Sequence, residues 1–519
     1  MKGLPRLNKK YLANKLLGQE IADYPADLLE YPERVIQFGE GNFLRAFMDW
    51  FFHEMNKKGI FQGRAVVIQP ISQGRVSQLN EQDGLYTLLL RGLEKGQIVN
   101  KKEVMTGVSR GLNAYTQWGE ILRLAEDPAI EFVVSNTTEA GIVYSGEDRP
   151  GDNPPNSFPG KLTAYLYHRY RYFGGARDKG MIIIPAELIE GNGDQLRAIV
   201  LKLAEEWALP EDFKAWVREA NVFLNTLVDR IVTGYPFHER DKLEEELGYG
   251  DENIVAGEIF HLLVIEGDKK LQEKLPFHEA GLNVIWVDNL TPYRERKVRI
   301  LNGAHTSAVA VSFLAGIDLV REAVQDKLLG KFIRKTIFEN IIPAMDMAPE
   351  ELEAFATEVL ERFANPFIDH KWLDISLNSI AKFKARVLPS LLDYIEKKNN
   401  RGEASSSALP RYLVYSLAAL INFYRGREIR DNSLLAERNG ETYLVRDDIK
   451  VLEFFAGLWG RYFAGEIDLE ELAGDLLANQ AFWGQDLNEV AGLRASLVDY
   501  LAAIEGKGLR GSLLELLES

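Results

Sequence analysis

The feature that most limits how this chain can fold is a change of texture near residue 290. Before it, short β-branched runs (Val35–Phe38, Ala65–Gln69, Thr87–Arg91, Glu131–Ser135, Met181–Pro185 and Leu282–Val287) alternate with helix-like stretches such as Asn42–Lys57 and Leu112–Glu126. That alternation predicts β-α-β units and a mostly parallel sheet. From about 291 onward, apolar residues recur at spacings of three and four in Leu301–Leu314, Glu350–Phe363, Ile380–Glu396, Leu409–Tyr424 and Glu489–Ile504, with almost no β-rich run among them. The expected architecture is an α/β domain over 1–290 followed by an α-helical domain over 291–519. Two loops punctuate it. Gly146–Gly160 holds four prolines and three glycines and is expected to be neither helix nor central strand, and Lys397–Ser407 is a polar connection between two apolar helices.

Composition narrows the function. The chain has 519 residues, 61 Lys+Arg against 77 Asp+Glu, a net charge of −16 and no cysteine. Disulfides, thiolate zinc sites, iron–sulfur clusters and a cysteine nucleophile are excluded. The acidic balance argues against nucleic acid or anionic membrane as a general partner. The first twenty residues scatter charge through every apolar window, and no run approaches the ~20 apolar residues of a membrane span. A cytoplasmic location is expected, and the oligomeric state is not readable. The seven histidines (53, 168, 238, 261, 278, 305 and 370) form no H-E-x-x-H cluster, so no metal is expected.

One turn has the chemistry of a dinucleotide cradle. Val35–Phe38 leads into Gly39-Glu40-Gly41-Asn42-Phe43-Leu44-Arg45, a strand, a G-x-G and then a helix pattern. Bare backbone there approaches a pyrophosphate at a helix start. The third glycine of the fingerprint is replaced by Leu44, and the segment is equally an ordinary strand-to-helix turn. The second strand ends in Gln69 where a carboxylate is usual, so an amide faces the adenosine ribose. Ser72 and Arg75 lie within reach of a 2′-phosphate, and charge leaves NAD and NADP open.

The most chemically pointed segment runs from Tyr293 to Thr306. At 100° per residue Lys297 sits at 0°, His305 at about 80° and Asn302 at about 140°, on one side of a helix. A Lys base with Asn and His donors suffices for metal-free hydride chemistry at a secondary alcohol. Arg294, Arg296 and Arg299 would depress the lysine pKa and favour an anionic ligand. The alternative reading is a solvated basic face, a turn at Asn302-Gly303 and a core histidine.

Lys297-x4-Asn302-x2-His305 resembles the signature of the mannitol dehydrogenase superfamily, the polyol-specific long-chain dehydrogenases. FGEGNFLRAF (38–47), QDGLYTL (82–88), SNTTEAGI (135–142), FPGKLTA (158–164), NTLVDRI (225–231) and LLVIEGD (262–268) agree with it in the same order. The resemblance implies a Rossmann-like N-terminal domain, a helical C-terminal domain and metal-independent use of NAD, with catalytic Lys297, Asn302 and His305. It places Gly39, Gly41, Asn42, Phe43, Arg45 and Gln69 at the cofactor, with Thr138 and Glu139 beside the nicotinamide. It places Asn192, Asp229, Arg230 and Lys382 at the substrate. Mannitol-type members carry Cys-Asp-Asn-Leu-x-x-Asn-Gly where this chain has Ala186-Glu187-Leu188-Ile189-Glu190-Gly191-Asn192-Gly193, so Leu188 takes the place of an oxyanion donor. Arg294 replaces a proton-relaying Glu. Within the superfamily the chain is most similar to members that interconvert a keto-hexuronate and a hexonate, tagaturonate and altronate first. Arg294, Lys382 and Lys384 are then the candidates to hold the substrate carboxylate. Fructuronate with mannonate, or an uncharged polyol such as mannitol, are the rival substrates, and a nucleotide-binding protein without catalysis is the rival class.

Overall fold

The computed structural model describes residues 4–16, 28–137, 141–402 and 409–518. Two compact units result, Met1–Gly92 with Ile98–Leu290, and Leu93–Gln97 with Thr291–Ser519.

The first unit is organised by a six-stranded sheet in the spatial order Val108–Asn113, Arg64–Gln69, Glu33–Phe38, Phe132–Ser135, Ile182–Pro185, Val222–Phe223. Every pairing is parallel. Numbered along the chain within this sheet, the order is 3-2-1-4-5-6, the doubly wound dinucleotide-binding arrangement whose direction reverses between Glu33–Phe38 and Phe132–Ser135. Both faces are covered, as a parallel sheet requires. Val35, Val67, Val134 and Ile184 pack into one core with Phe51, Phe52 and Met55 of the Met48–Lys57 helix. Ile36, Val66, Val133 and Ile183 pack into the other with Leu162, Leu196, Val200 and Trp216. Each such side chain contributes about 1.5–3 kcal/mol on burial, so burial on both faces is a main support of these short strands.

Several local expectations change. Thr87–Arg91 and Leu282–Val287 do form strands, but in two smaller sheets, one built on Tyr86–Glu94 and one on Val284–Val287. Leu112 ends the Val108–Asn113 strand and does not start a helix, which runs only over Trp118–Leu124. The polar letters of that strand, Ser109 and Arg110, are spent on Glu33. The Gly146–Gly160 loop gives way to helix Phe158–Tyr172, capped by the Ser157 side chain accepting from the Gly160 N–H, with Pro159 in its first turn.

The second unit is helical around two nearly all-buried helices. Gly303–Leu314 is buried at every position from Gly303 to Phe313, and Arg411–Phe423 from Tyr412 to Phe423. A helix apolar all round belongs in a core. The Ser416 hydroxyl donates to the Ser307 carbonyl, joining the two. The expected helix over Ile380–Glu396 is two, Ser379–Arg386 and Leu388–Asn400, because Pro389 lacks the N–H that continuation needs. Leu493–Glu518, bent at Gly508, packs on Arg411–Phe423 through Tyr415 and Ser512, which gives the last stretch of chain a structural task. An antiparallel sheet of Gly426–Arg430, Ser433–Arg438 and Glu441–Val445 interrupts the helices, contrary to the sequence reading. Among the described residues no helix is long and apolar enough to cross a membrane.

Candidate active site

In the first unit, Gly39 leaves the Glu33–Phe38 strand with φ +123°, and a Cβ there would meet the Asn136 carbonyl at 2.9 Å. Glycine is therefore required where the first and fourth strands diverge. Nothing lies within 4 Å of a Cβ built on Gly41, so its backbone is open to a ligand. The expected helix over Asn42–Lys57 is broken into Asn42–Arg45 and Met48–Lys57. Side chains take the carbonyls at the break, the Tyr86 hydroxyl donating to Arg45 O and Arg230 Nη1 to Ala46 O, each at 2.6 Å.

This accounts for residues expected at ligands. The buried Arg45 guanidinium bonds Asn42 Oδ1 at 2.7 Å and the Asn253 carbonyl, and so shapes the glycine turn from behind. Phe43 stacks on Phe47, with ring centroids 5.0 Å apart. Arg230 lies over Trp50 at 4.2 Å and donates to the carbonyls of Ala46 and Glu258, and burial pulls its pKa down to about 9. It is a cap and a clamp within its own unit. Asp229 is buried at the end of its strand, opposite Leu262.

Gln69 is turned inward, its amide donating to the carbonyls of Ile71 and Ser72. The group at the end of the second strand is instead Glu40, which the sequence reading passed over between the two glycines. A Cβ on Gly74 would lie 2.1 Å from Glu40 Oε1 and 2.4 Å from Gln69 Cδ, so carboxylate and amide stand side by side there. Burial pushes the Glu40 pKa up, against the backbone N–H groups and Arg45.

Thr138 and Glu139 lie outside the described residues. The segment just before them is held by Glu187, whose carboxylate accepts from the Ser135 hydroxyl and from the Thr137 N–H and hydroxyl. Asn192 is fully buried and spends its amide on Pro185, Glu187, Gly193 and Thr226, as a brace for the strand ends. Leu188 is 55% exposed.

In the second unit, Thr291–Arg296 is α-helical, Lys297–Asn302 is one π-helical turn and Gly303–Leu314 is α-helical again. The 100° projection therefore fails between Lys297 and Asn302. A π-turn winds more slowly than an α-turn, so Lys297 and Asn302 differ less in direction than the roughly 140° of a regular α-helix. Lys297 and Asn302 are half-buried, and His305 is buried. The His305 ring stacks on Phe363 at 4.0 Å and meets His370 edge-on at 5.2 Å. Its Nε2 has no hydrogen-bond partner among the described residues. Burial, then the nearby His370, Arg362, Arg386 and Lys382, hold its pKa well below the ordinary value, so the imidazole is neutral.

The basic run near Lys297 does not converge as the letters suggest. Arg299 pairs with Asp393, and Arg296 is buried between the rings of Phe355 and Tyr293; Arg294 is half-buried. Lys382 donates to the Ile375 carbonyl at 2.8 Å. Lys384, two residues on, is exposed and lies against Gly484, on the other side of its helix.

Comparison with known proteins decides the family. Residues 33–279 match the mannitol dehydrogenase Rossmann domain, and residues 289–505 match the mannitol dehydrogenase C-terminal domain. The chain belongs to the mannitol dehydrogenase family. Family relatives include an altronate oxidoreductase of Halalkalibacterium halodurans, 46% identical over 93% of this chain and 92% of that protein. An altronate oxidoreductase of Escherichia coli is 48% identical over 94% of this chain and 97% of that protein. Among solved structures of the same fold, Pseudomonas fluorescens mannitol 2-dehydrogenase in ternary complex with NAD and D-mannitol matches with a TM-score of 0.67 at 22% identity, covering 99% of this chain and 100% of that one. A D-sorbitol dehydrogenase in substrate-free form matches with a TM-score of 0.76 at 19% identity, over 98% and 100%.

One group of possible metal ligands occurs among the described residues, His53, Glu54 and Glu103. Lys57 sits in it, 2.6 Å from Glu103 and 3.2 Å from Glu54. Burial opposes the charge on Glu103, but His53 and Lys57 hold its pKa down at about 2. The cation required there is already supplied by the protein.

Proposed function

We propose that this chain reduces tagaturonate to altronate with NADH and catalyses the reverse oxidation with NAD. The observation that supports the reaction type is the π-turn Lys297–Asn302 leading directly into the helix that carries His305, with His305 neutral and its Nε2 unbonded among the described residues. The substrate reading is supported by relatives named altronate oxidoreductase at 46% and 48% identity over nearly the whole chain. The basic surroundings of His305 suit an anionic sugar acid.

The first unit fits a dinucleotide, with an open backbone at Gly41, a glycine-only turn at Gly39 and the sheet reversal beside them. The Glu40 carboxylate beside Gln69 favours a ribose hydroxyl over a 2′-phosphate, hence NAD. When bound, NADH supplies the hydride that reduces the substrate carbonyl carbon. In that direction Lys297 enters as ammonium and gives its proton to the carbonyl oxygen, while Asn302 and the neutral His305 hold that oxygen. In the oxidation Lys297 enters as the free amine and accepts the hydroxyl proton. Altronate oxidation therefore gains rate as pH rises, and tagaturonate reduction loses it. NADH consumption measured with tagaturonate, fructuronate and fructose tests the reading; a preference for fructose overturns it.

A further inference from the structure

We propose that Arg386, with Lys382 one turn before it, seats the carboxylate of the substrate. This rests on the hexuronate reading above and names the residue that reading lacks. Lys382 and Arg386 are four residues apart on the Ser379–Arg386 helix and so share one face. The end of that helix packs directly on the catalytic segment, since a Cβ built on Gly303 would come within 3.0 Å of the Arg386 carbonyl. Gly303 lies between Asn302 and His305, and its missing side chain is what lets Arg386 stand there.

Several arginines of the helical unit are paired, Arg299 with Asp393, Arg438 with Asp318, Arg425 with Glu505 and Arg510 with Asp326, whereas Arg334, Arg427 and Arg446, which make no ion pair among the described residues, are exposed. Arg386 is half-buried yet makes no hydrogen bond or ion pair through its side chain among the described residues. Lys382 uses one of its three donors, on the Ile375 carbonyl. The carboxylate facing Lys382, Asp447, is engaged by the Tyr424 hydroxyl and the Ile380 N–H. The groups acting most strongly on His305 are His370, Arg362, Arg386 and Lys382, with Asp374 facing His370 and Asp447 facing Lys382.

A guanidinium held in a partly desolvated place without a paired carboxylate costs free energy that an arriving anion returns. A guanidinium fork accepts a carboxylate through two parallel hydrogen bonds, which fixes its orientation as well as its position. A hexonate held this way at its carboxylate presents the rest of its carbon chain to His305 and Asn302. A neutral hexitol makes no use of the fork, so Arg386 separates sugar acids from polyols.

The test is steady-state kinetics of Arg386→Met, Arg386→Lys and the parent protein with altronate and NAD. The expected result is a KM for altronate raised on the order of 10- to 100-fold in Arg386→Met, with kcat at saturation and the KM for NAD nearly unchanged and part of the loss recovered in Arg386→Lys. Added guanidinium ion restores part of the affinity of an Arg386→Ala variant. An unchanged KM for altronate in Arg386→Met overturns the seat, as does an equal loss with NAD, which marks a folding defect. A parent protein inert toward altronate and tagaturonate overturns the activity itself, a separate outcome.

Discussion

Asn192 in the sheet unit and His305 in the helical unit both come from family motifs and are both buried, but they dispose of their polar atoms differently. Asn192 exhausts its amide on strand-end backbone, whereas His305 keeps Nε2 unbonded among the described residues. The contrast extends to the arginines. Arg45 and Arg230 donate to carbonyls and brace the glycine turn, while the Arg386 side chain has no hydrogen-bond or ion-pair partner among the described residues. The cradle is built by satisfying its side chains internally and offering bare backbone. On the function proposed above, the wall around His305 works the other way, leaving selected side chains for the substrate to complete.

Substitutions can break this contrast. The largest effect is expected for Lys297→Ala, which removes the proton donor and lowers kcat by about 10²- to 10⁴-fold, with NADH affinity unchanged in a fluorescence titration. Ordinary turnover in that variant refutes the assignment. Asn192→Ala should act on stability, costing about 3 kcal/mol or more because several buried partners lose their bonds together. Urea unfolding measures it, and a variant as stable as the parent but with a raised altronate KM would move Asn192 to the substrate side of the comparison.

Asp49 is the exception that sharpens the rule. It is fully buried under the glycine turn, where the Gln37 amide donates to both Asp49 Oδ2 and the Gly39 carbonyl. Asp49 Oδ1 and Gln37 Oε1 have no hydrogen-bond partner among the described residues, and burial, opposed by Gln37 and Arg45, pushes the Asp49 pKa up to about 7. The folded state thus keeps a proton that the unfolded chain has already released. Its contribution to stability falls as pH rises from about 4 to about 7 and is level above that. Asp49→Asn supplies a permanent N–H toward Gln37 and should gain roughly 2–4 kcal/mol at pH 8 while flattening this slope; unfolding curves at pH 5 and 8 that match the parent contradict the account. The smallest effect is expected for Glu40→Gln, which should narrow the preference for NAD over NADP on the order of tenfold, read from kcat/KM with each coenzyme.

Much of the sheet unit is legible in the letters, because fully buried parallel strands must be apolar runs and a glycine turn must be glycine. The Val108–Asn113 strand escapes because Ser109 and Arg110 find polar partners at the sheet margin. The Gly426–Val445 sheet escapes because its strands are half-exposed and carry charges, although Asp431-Asn432 and Asn439-Gly440, all at positive φ, are the hairpin signals that could have found it. Lys297, Asn302 and His305 are legible as a motif, but their relative placement depends on a π-turn that no fixed helical period contains. Arg386 is invisible in sequence, since what distinguishes it is the missing partner.

The most direct test of the central claim is the initial rate of NADH oxidation by the purified chain with tagaturonate and, separately, with fructose. The account predicts rapid turnover of tagaturonate and little of fructose. Fructose reduced as readily as tagaturonate would contradict it.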